Sequence, residues 1–147
     1  MTILNIAVAG SSGRMGRALL AAVMKDSGLH LQAALEMNGS PYLGKSASEL
    51  TGDLGSVVIT DNFSAALPGC DVLIDFTQPE GTIKHLSVCR AEGIKMVIGT
   101  TGFSAEQKEA LKEASEDIAL VVAPNMSVGV NVTFKLLDIA AKALSEG

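Results

Sequence analysis

Val8-Ala9-Gly10-Ser11-Ser12-Gly13-Arg14-Met15-Gly16 lies between an apolar run, Ile3 to Ala9, and a segment from Arg14 to Met24 whose apolar residues recur at helical spacing. This reads as strand, glycine turn, helix, with Met15, Ala18, Leu19, Ala22 and Val23 expected on one side of the helix. In such a turn Gly10 permits the tight reversal, Gly13 lets the backbone approach a pyrophosphate, and Gly16 lets the helix pack closely on the sheet. The pattern is Gly-x-x-Gly-x-x-Gly rather than the commoner Gly-x-Gly-x-x-Gly, and taken alone it also describes an ordinary glycine-containing turn. Its context adds Glu36, which closes the next apolar run 20 residues after Gly16 (36 − 16). There an acidic side chain can accept hydrogen bonds from the hydroxyls of an adenine ribose.

Outward from this loop, strands and helices alternate. Leu29 to Leu35 reads as a second strand, and Asn38 to Gly55 as a long loop with one helical turn at Ser46 to Leu50. Val57 to Thr60 is a weak third strand and Val72 to Phe76 a strong fourth. Pro79 opens a helix that runs to Glu92, where Gly93 is placed to end it, and Lys95 to Ile98 is the next strand. Ser104-Ala105-Glu106-Gln107 has the form of a capping box for a helix to about Ser115, Ile118 to Ala123 reads as a strand, and Val128 to Leu144 as an amphipathic helix through Val132, Leu136, Leu137, Ile139, Ala140 and Leu144. Right-handed crossovers between such strands give an α/β fold, a doubly wound and mostly parallel sheet of the Rossmann dinucleotide-binding type. The expected division is a nucleotide domain over residues 1–127 and a helix over 128–147 leading toward a further domain.

Composition agrees with this class. The 147 residues are 48% hydrophobic but only 3% aromatic, as expected where aliphatic strands are covered by helices on both faces. A net charge of -5 argues against a large nucleic-acid or acidic-lipid surface and leaves small ligands as the expected partners. Met1 to Asn5 has no basic leader and no apolar run nears a membrane span, so a cytoplasmic protein is expected, with neither nucleic acid nor membrane as partner. Cys70 and Cys89 lack metal or redox spacing and read as small buried hydrophobes. His30 and His85 read as isolated, and no metal site is expected.

Three further loops follow apolar strands: Asp75-Phe76-Thr77-Gln78-Pro79, Gly99-Thr100-Thr101-Gly102, and Ala123-Pro124-Asn125-Met126-Ser127-Val128-Gly129. Each falls at a strand's carboxyl end, so all should gather on one rim with the glycine loop, although Gly-Thr-Thr-Gly alone is equally a plain turn. Taken together, Gly13-Arg14-Met15-Gly16, Asp75-Phe76-Thr77, Val97 to Phe103 and Asn125 to Asn131 stand in an order and spacing that resembles the dihydrodipicolinate reductases across essentially the whole chain.

The resemblance implies an NADH- or NADPH-dependent oxidoreductase of lysine and diaminopimelate biosynthesis, acting on 4-hydroxy-tetrahydrodipicolinate or its dehydrated form, usually as a homotetramer. By motif it assigns Gly10, Ser11, Ser12, Gly13, Arg14 and Met15 to the pyrophosphate and Glu36 to the adenine ribose. Gly99, Thr100 and Thr101, with Ala123, Pro124, Asn125 and Met126, would surround the nicotinamide and its ribose, and Phe76 and Thr77 would add a wall. Relatives that use NADPH well often carry arginine directly after the acidic residue, where this chain has Met37, so NADH is the expected preference, with Arg14 as an alternative phosphate partner. Met126 stands where relatives carry an aromatic ring, which would replace stacking by a softer sulfur contact.

The family's His-His-x-x-x-Lys segment and its Asp-Ala-Pro-Ser-Gly-Thr-Ala loop occur nowhere before Gly147. No catalytic residue is therefore assigned within this chain, which is expected to bind cofactor without turning over substrate, its cyclic dicarboxylate needing the C-terminal domain. The ending at Ser145-Glu146-Gly147 reads as that of a shortened chain. An exposed apolar patch and a tendency to self-associate are expected with it. Two other readings stay open on the residues: a non-catalytic NADH-binding regulatory module, and the first domain of another two-domain dehydrogenase.

Overall fold

The computed structural model describes residues 2–52 and 55–145. Met1, Glu146 and Gly147, on which the readings of the two chain ends partly rest, and residues 53 and 54 of the long loop lie outside that description. Six strands form one sheet in the order β3-β2-β1-β4-β5-β6: β1 Leu4–Ala9, β2 Leu29–Leu35, β3 Ile59–Thr60, β4 Val72–Asp75, β5 Lys95–Ile98 and β6 Leu120–Val122. Every neighbouring pair is parallel. The order reverses between β1 and β4, which is the switch point where such folds bind ligands.

Alternation along β1 sorts the core into two layers. Ile6 and Val8 face α1 (Arg14–Lys25), packing with Leu20, Val23, Ala34 and Ile59. Ala7 and Ala9 face the other side, among Leu67, Leu73, Leu86, Met96 and Leu111. These come from the sheet, from the segment after the short helix α3 (Phe63–Ala66), and from helices α4 (Pro79–Glu92) and α5 (Ala105–Ala114). A side chain as completely buried as Leu20 or Leu73 stabilises the fold by roughly 1.5–3 kcal/mol relative to exposure.

Local chemistry sets the helix ends. Gly93, at φ +70°, closes α4 with its amide on the Cys89 carbonyl, and Ser104 and Gln107 form the reciprocal capping box that opens α5. The one-turn helix α2 spans Ser48–Thr51, two residues later at its start than its sequence reading. The buried face of α1 differs from the sequence expectation: it runs through Gly16, Leu20 and Val23, while Met15, Ala18 and Ala22 are exposed. The cause is Gly16, which must meet the glycine loop and so fixes the rotation of the helix.

The last helix, α6 (Val128–Ser145), buries none of its residues. Val132, Phe134, Leu136, Leu137, Ile139 and Leu144 are at least half exposed, and Val121 and Val122 of the edge strand β6 are bare beside them in sequence. This is the exposed apolar surface expected from the sequence. No helix among the described residues is long and apolar enough to cross a membrane.

Candidate functional site

β1 ends at Ala9, and the chain turns at Gly10 with φ +68°, a left-handed conformation that favours glycine. A Cβ on Gly16 would overlap the Gly10 carbonyl oxygen and stand 2.7 Å from Ser11 Cα, so α1 can approach this loop only without a side chain there. Gly13 is the extended N-cap of α1 and supplies no side chain to its first turn. The amides of Arg14 and Met15 have no acceptor among the described residues, as at any helix start without a capping side chain. They are available to an anion.

The loop is tied to β2 rather than left open. Ser11 is fully buried, and both its amide (3.1 Å) and its hydroxyl (2.7 Å) donate to the Leu35 carbonyl, so its side chain is spent on the scaffold. Ser12 donates from its amide (2.7 Å) and its hydroxyl (2.6 Å) to Glu36 Oε1. Glu36 is therefore held at the end of β2 against the loop, its second oxygen 3.2 Å from the Met37 amide. Arg17 completes this side, donating from Nε to the Ser12 carbonyl at 2.8 Å and from Nη2 to the Tyr42 hydroxyl at 3.1 Å. Lys45 Nζ also lies over the Tyr42 ring. Neither Arg17 nor Tyr42 was singled out in the sequence, because the loop that brings them together has no regular periodicity.

On the other side of the switch point the rim loops touch one another. A Cβ on Gly10 would meet Thr77 Cγ2 at 3.0 Å, and one on Gly99 would overlap the Phe76 ring. Thr100 is buried and Thr101 exposed. Ala123 donates its amide to the Ile98 carbonyl, while Pro124, Asn125 and Met126 are exposed. Asn131 shapes that last loop by donating from Nδ2 to the carbonyls of Asn125 and Ser127. A cleft of about 680 Å³ borders the rim, lined by Thr100, Phe103, Lys108, Leu111, Val122 and Pro124 among others. It lies on the α5 flank and does not reach the glycine loop.

Beneath the rim is a group that sequence reading missed. Asp75, completely buried at the end of β4, accepts at Oδ1 from the Thr77 amide (2.9 Å), the Thr77 hydroxyl (2.6 Å) and the Thr100 hydroxyl (3.4 Å). At Oδ2 it meets His85 Nδ1 at 2.7 Å. His85 is thus not isolated: the turn from β4 into α4 brings it to a partner ten residues earlier, and Phe63 stacks on its ring at 4.2 Å. Burial pushes the Asp75 carboxyl up, but the bond and charge of His85 and the bonds from Thr77 outweigh it and hold the group below its ordinary value.

Cys70 and Cys89 are buried free thiols. Burial, then Asp71, pushes Cys70 up to about 11. Burial, then Asp75 and Cys70, pushes Cys89 up to about 12, so both stay protonated and act as packing groups. No cluster of metal-ligating side chains occurs among the described residues.

A parallel sheet in this order, with a glycine loop leading into a helix at its switch point and a carboxylate closing the neighbouring strand, defines a dinucleotide-binding α/β domain. Comparison with known proteins narrows the class. Residues 4–126 match the family described as dihydrodipicolinate reductase, N-terminus, and the chain belongs to that family. It is 64% identical over 146 residues to a 4-hydroxy-tetrahydrodipicolinate reductase of Nitrosospira multiformis, covering 99% of this chain and 54% of the relative. It is 59% identical to that of Nitrosomonas eutropha, covering all of this chain and 55% of the relative. The chain spans about half the length of the curated relatives it matches. Among solved structures, a dipicolinate-bound dihydrodipicolinate reductase from Paenisporosarcina sp. TG-14 superposes with a TM-score of 0.76 at 26% identity, over 95% of this chain and 54% of that one. An NADP complex of aspartate semialdehyde dehydrogenase from Candida albicans shares the fold alone, at TM-score 0.60 and 12% identity over 82% of this chain and 42% of that one.

Proposed function

We propose that this chain binds a nicotinamide dinucleotide across the β1/β4 switch point and is the cofactor half of an NAD(P)H-dependent 4-hydroxy-tetrahydrodipicolinate reductase. The observation that carries the reading is the junction of Ser12 with Glu36, which ties the end of β2 to the glycine loop that leads into the unbonded Arg14 and Met15 amides of α1. The residues fit the group: Gly16 leaves the helix start open to a pyrophosphate, and Glu36 sits where ribose hydroxyls donate. Gly10 to Met15 then cradle the phosphates, with Ser11 acting through the Leu35 carbonyl. Phe76, Thr77, Gly99, Thr100, Thr101 and Ala123 to Met126 border the nicotinamide half.

When bound, the nicotinamide supplies a hydride. This chain's part is to orient its donor and keep water from it. Reduction of a cyclic dicarboxylate also requires a positioned proton donor and carboxylate-binding groups. We assign those to sequence beyond the present chain, so residues 1–127 are the nucleotide domain and 128–147 the lead into a substrate domain. The dipicolinate bound to the Paenisporosarcina reductase supports this substrate class. The assembled protein is proposed to be a cytoplasmic homotetramer. NADH is the proposed preference, since the exposed Met37 offers no charge to a 2′-phosphate.

The test is calorimetric titration of the purified chain with NADH and with NADPH, followed by a steady-state assay. Saturable NADH binding at least as tight as NADPH, without turnover, is expected. No binding of either overturns the cofactor assignment, and turnover by the chain alone overturns the division of labour.

A further inference from the structure

Asp75 and His85 share no hydrogen bond with Glu36 among the described residues and are not explained by phosphate or adenine binding. The Asp75 carboxylate is the node of a buried polar network: two bonds from Thr77, one from Thr100, one from His85, with the Thr82 hydroxyl donating in turn to Thr100 at 2.9 Å. Thr77 belongs to the β4 loop and touches Gly10, while Thr100 belongs to the β5 loop. One carboxylate thus fixes two rim loops on the far side of the switch point from β2. The adenine side has hydrogen bonds of its own, Ser11 to Leu35 and Ser12 to Glu36.

An ionised carboxylate only accepts, so His85 must carry its proton on Nδ1. The ring is held by the stacked Phe63. Its other nitrogen has no partner among the described residues, yet no buried side-chain nitrogen or oxygen there is left unsatisfied, so Nε2 reaches solvent. Burial of Asp75 would disfavour its charge, and His85 is the principal group that offsets this. Without His85, Oδ2 loses its partner and the buried carboxyl that sets both loops is held only by the threonine bonds to Oδ1, so it is less firmly oriented.

Resting on the dinucleotide reading above, we propose that Asp75–His85 is a positioning pair for the nicotinamide ring, acting through Thr77 and Thr100 without touching the cofactor. In a doubly wound fold the two halves of a dinucleotide lie on opposite sides of the switch point, so loosening this pair should disturb one half only. ADP-ribose, which lacks only the nicotinamide, separates this from a general loss of structure.

The experiment titrates the purified chain and its variants with NADH and with ADP-ribose. His85→Leu is expected to weaken NADH about tenfold while leaving ADP-ribose within about twofold, the size of one lost hydrogen bond. His85→Asn, whose side-chain amide can donate from about the place of Nδ1, is expected to restore most of the NADH affinity. Thr82→Val, which removes only the hydroxyl that donates to Thr100, should shift NADH in the same direction by about threefold, and decides the matter if His85→Leu fails to fold. Parallel weakening of both ligands, or unchanged NADH affinity in folded variants, overturns the proposal and leaves the pair a structural one. A wild-type chain that binds neither ligand overturns the dinucleotide reading instead.

Discussion

Glu36 Oε1 accepts two hydrogen bonds from one residue, Ser12, at 2.7 Å from its amide and 2.6 Å from its hydroxyl. The carboxylate is therefore oriented before any ligand arrives, with one oxygen engaged by the glycine loop and the other near the Met37 amide. Glu36→Gln keeps the shape but removes the charge and replaces one acceptor by a donor. NADH affinity should fall about tenfold or more, in line with losing charge-assisted bonds to ribose hydroxyls. Titration calorimetry checks this, and an unchanged dissociation constant would remove Glu36 from the site.

Gly16→Ala tests the approach of α1 to the loop. The added methyl would overlap the Gly10 carbonyl oxygen, and the listener to that strain is backbone, which cannot rotate away as a side chain does. A loss of about 1–3 kcal/mol in chemical denaturation is expected from overpacking. Dinucleotide binding should fall with it, because the Arg14 and Met15 amides move with the helix. Wild-type stability together with wild-type binding would show that the contact relaxes without cost.

The elements legible in the sequence are those specified by neighbours along the chain. Leu29–Leu35 and Lys95–Ile98 form as read, and Pro79 and Gly93 bound α4 as expected of a first-turn proline and a left-handed closing glycine. The Ser104–Gln107 box is as local. What escaped depends on distance. The four-residue α3 has no periodicity to detect and is nucleated by the Asn62 side chain accepting from the Ala65 amide. The face of α1 was misjudged because hydrophobicity alone favoured Met15, Ala18 and Ala22, whereas contact between Gly16 and the loop decides the rotation. The Asp75–His85 pair needs the strand-to-helix turn to close, so neither residue announces it, although Asp-x-Thr at a strand end is a local signature of the bond that Thr77 makes.

Acid sensitivity should be traceable to Asp75. Its carboxyl lies below the ordinary value in the folded chain, so unfolding raises its affinity for protons. The stabilisation is fully present above the unfolded aspartate value of about 3.9 and is lost as pH falls through the lower folded value. Asp75→Asn should lose about 3 kcal/mol at pH 7, as when one partner of a buried pair is removed, and should then show a shallower further loss on acidification. Thermal unfolding followed from pH 7 to about pH 3 checks both, and parallel pH curves for the two proteins would exclude Asp75 as the source.

The proposed preference for NADH is tested at Met37, which is 73% exposed immediately after Glu36. A 2′-phosphate on the adenine ribose would stand near this side chain and near the Glu36 carboxylate, gaining nothing from the first and repelled by the second. Met37→Arg supplies a guanidinium that can meet the phosphate in a bidentate manner, and NADPH affinity should rise about tenfold while NADH changes little. Two other cations bear on the outcome. Arg14 is exposed on the first turn of α1, and Arg17 is committed to the Ser12 carbonyl and Tyr42 hydroxyl, so its charge stands beside the loop already. If the wild-type chain binds NADPH more tightly than NADH, removing each in turn, as Arg14→Gln and Arg17→Gln, identifies which supplies the phosphate contact. Only if the wild type favours NADH and Met37→Arg reverses the order is the residue after Glu36 the determinant.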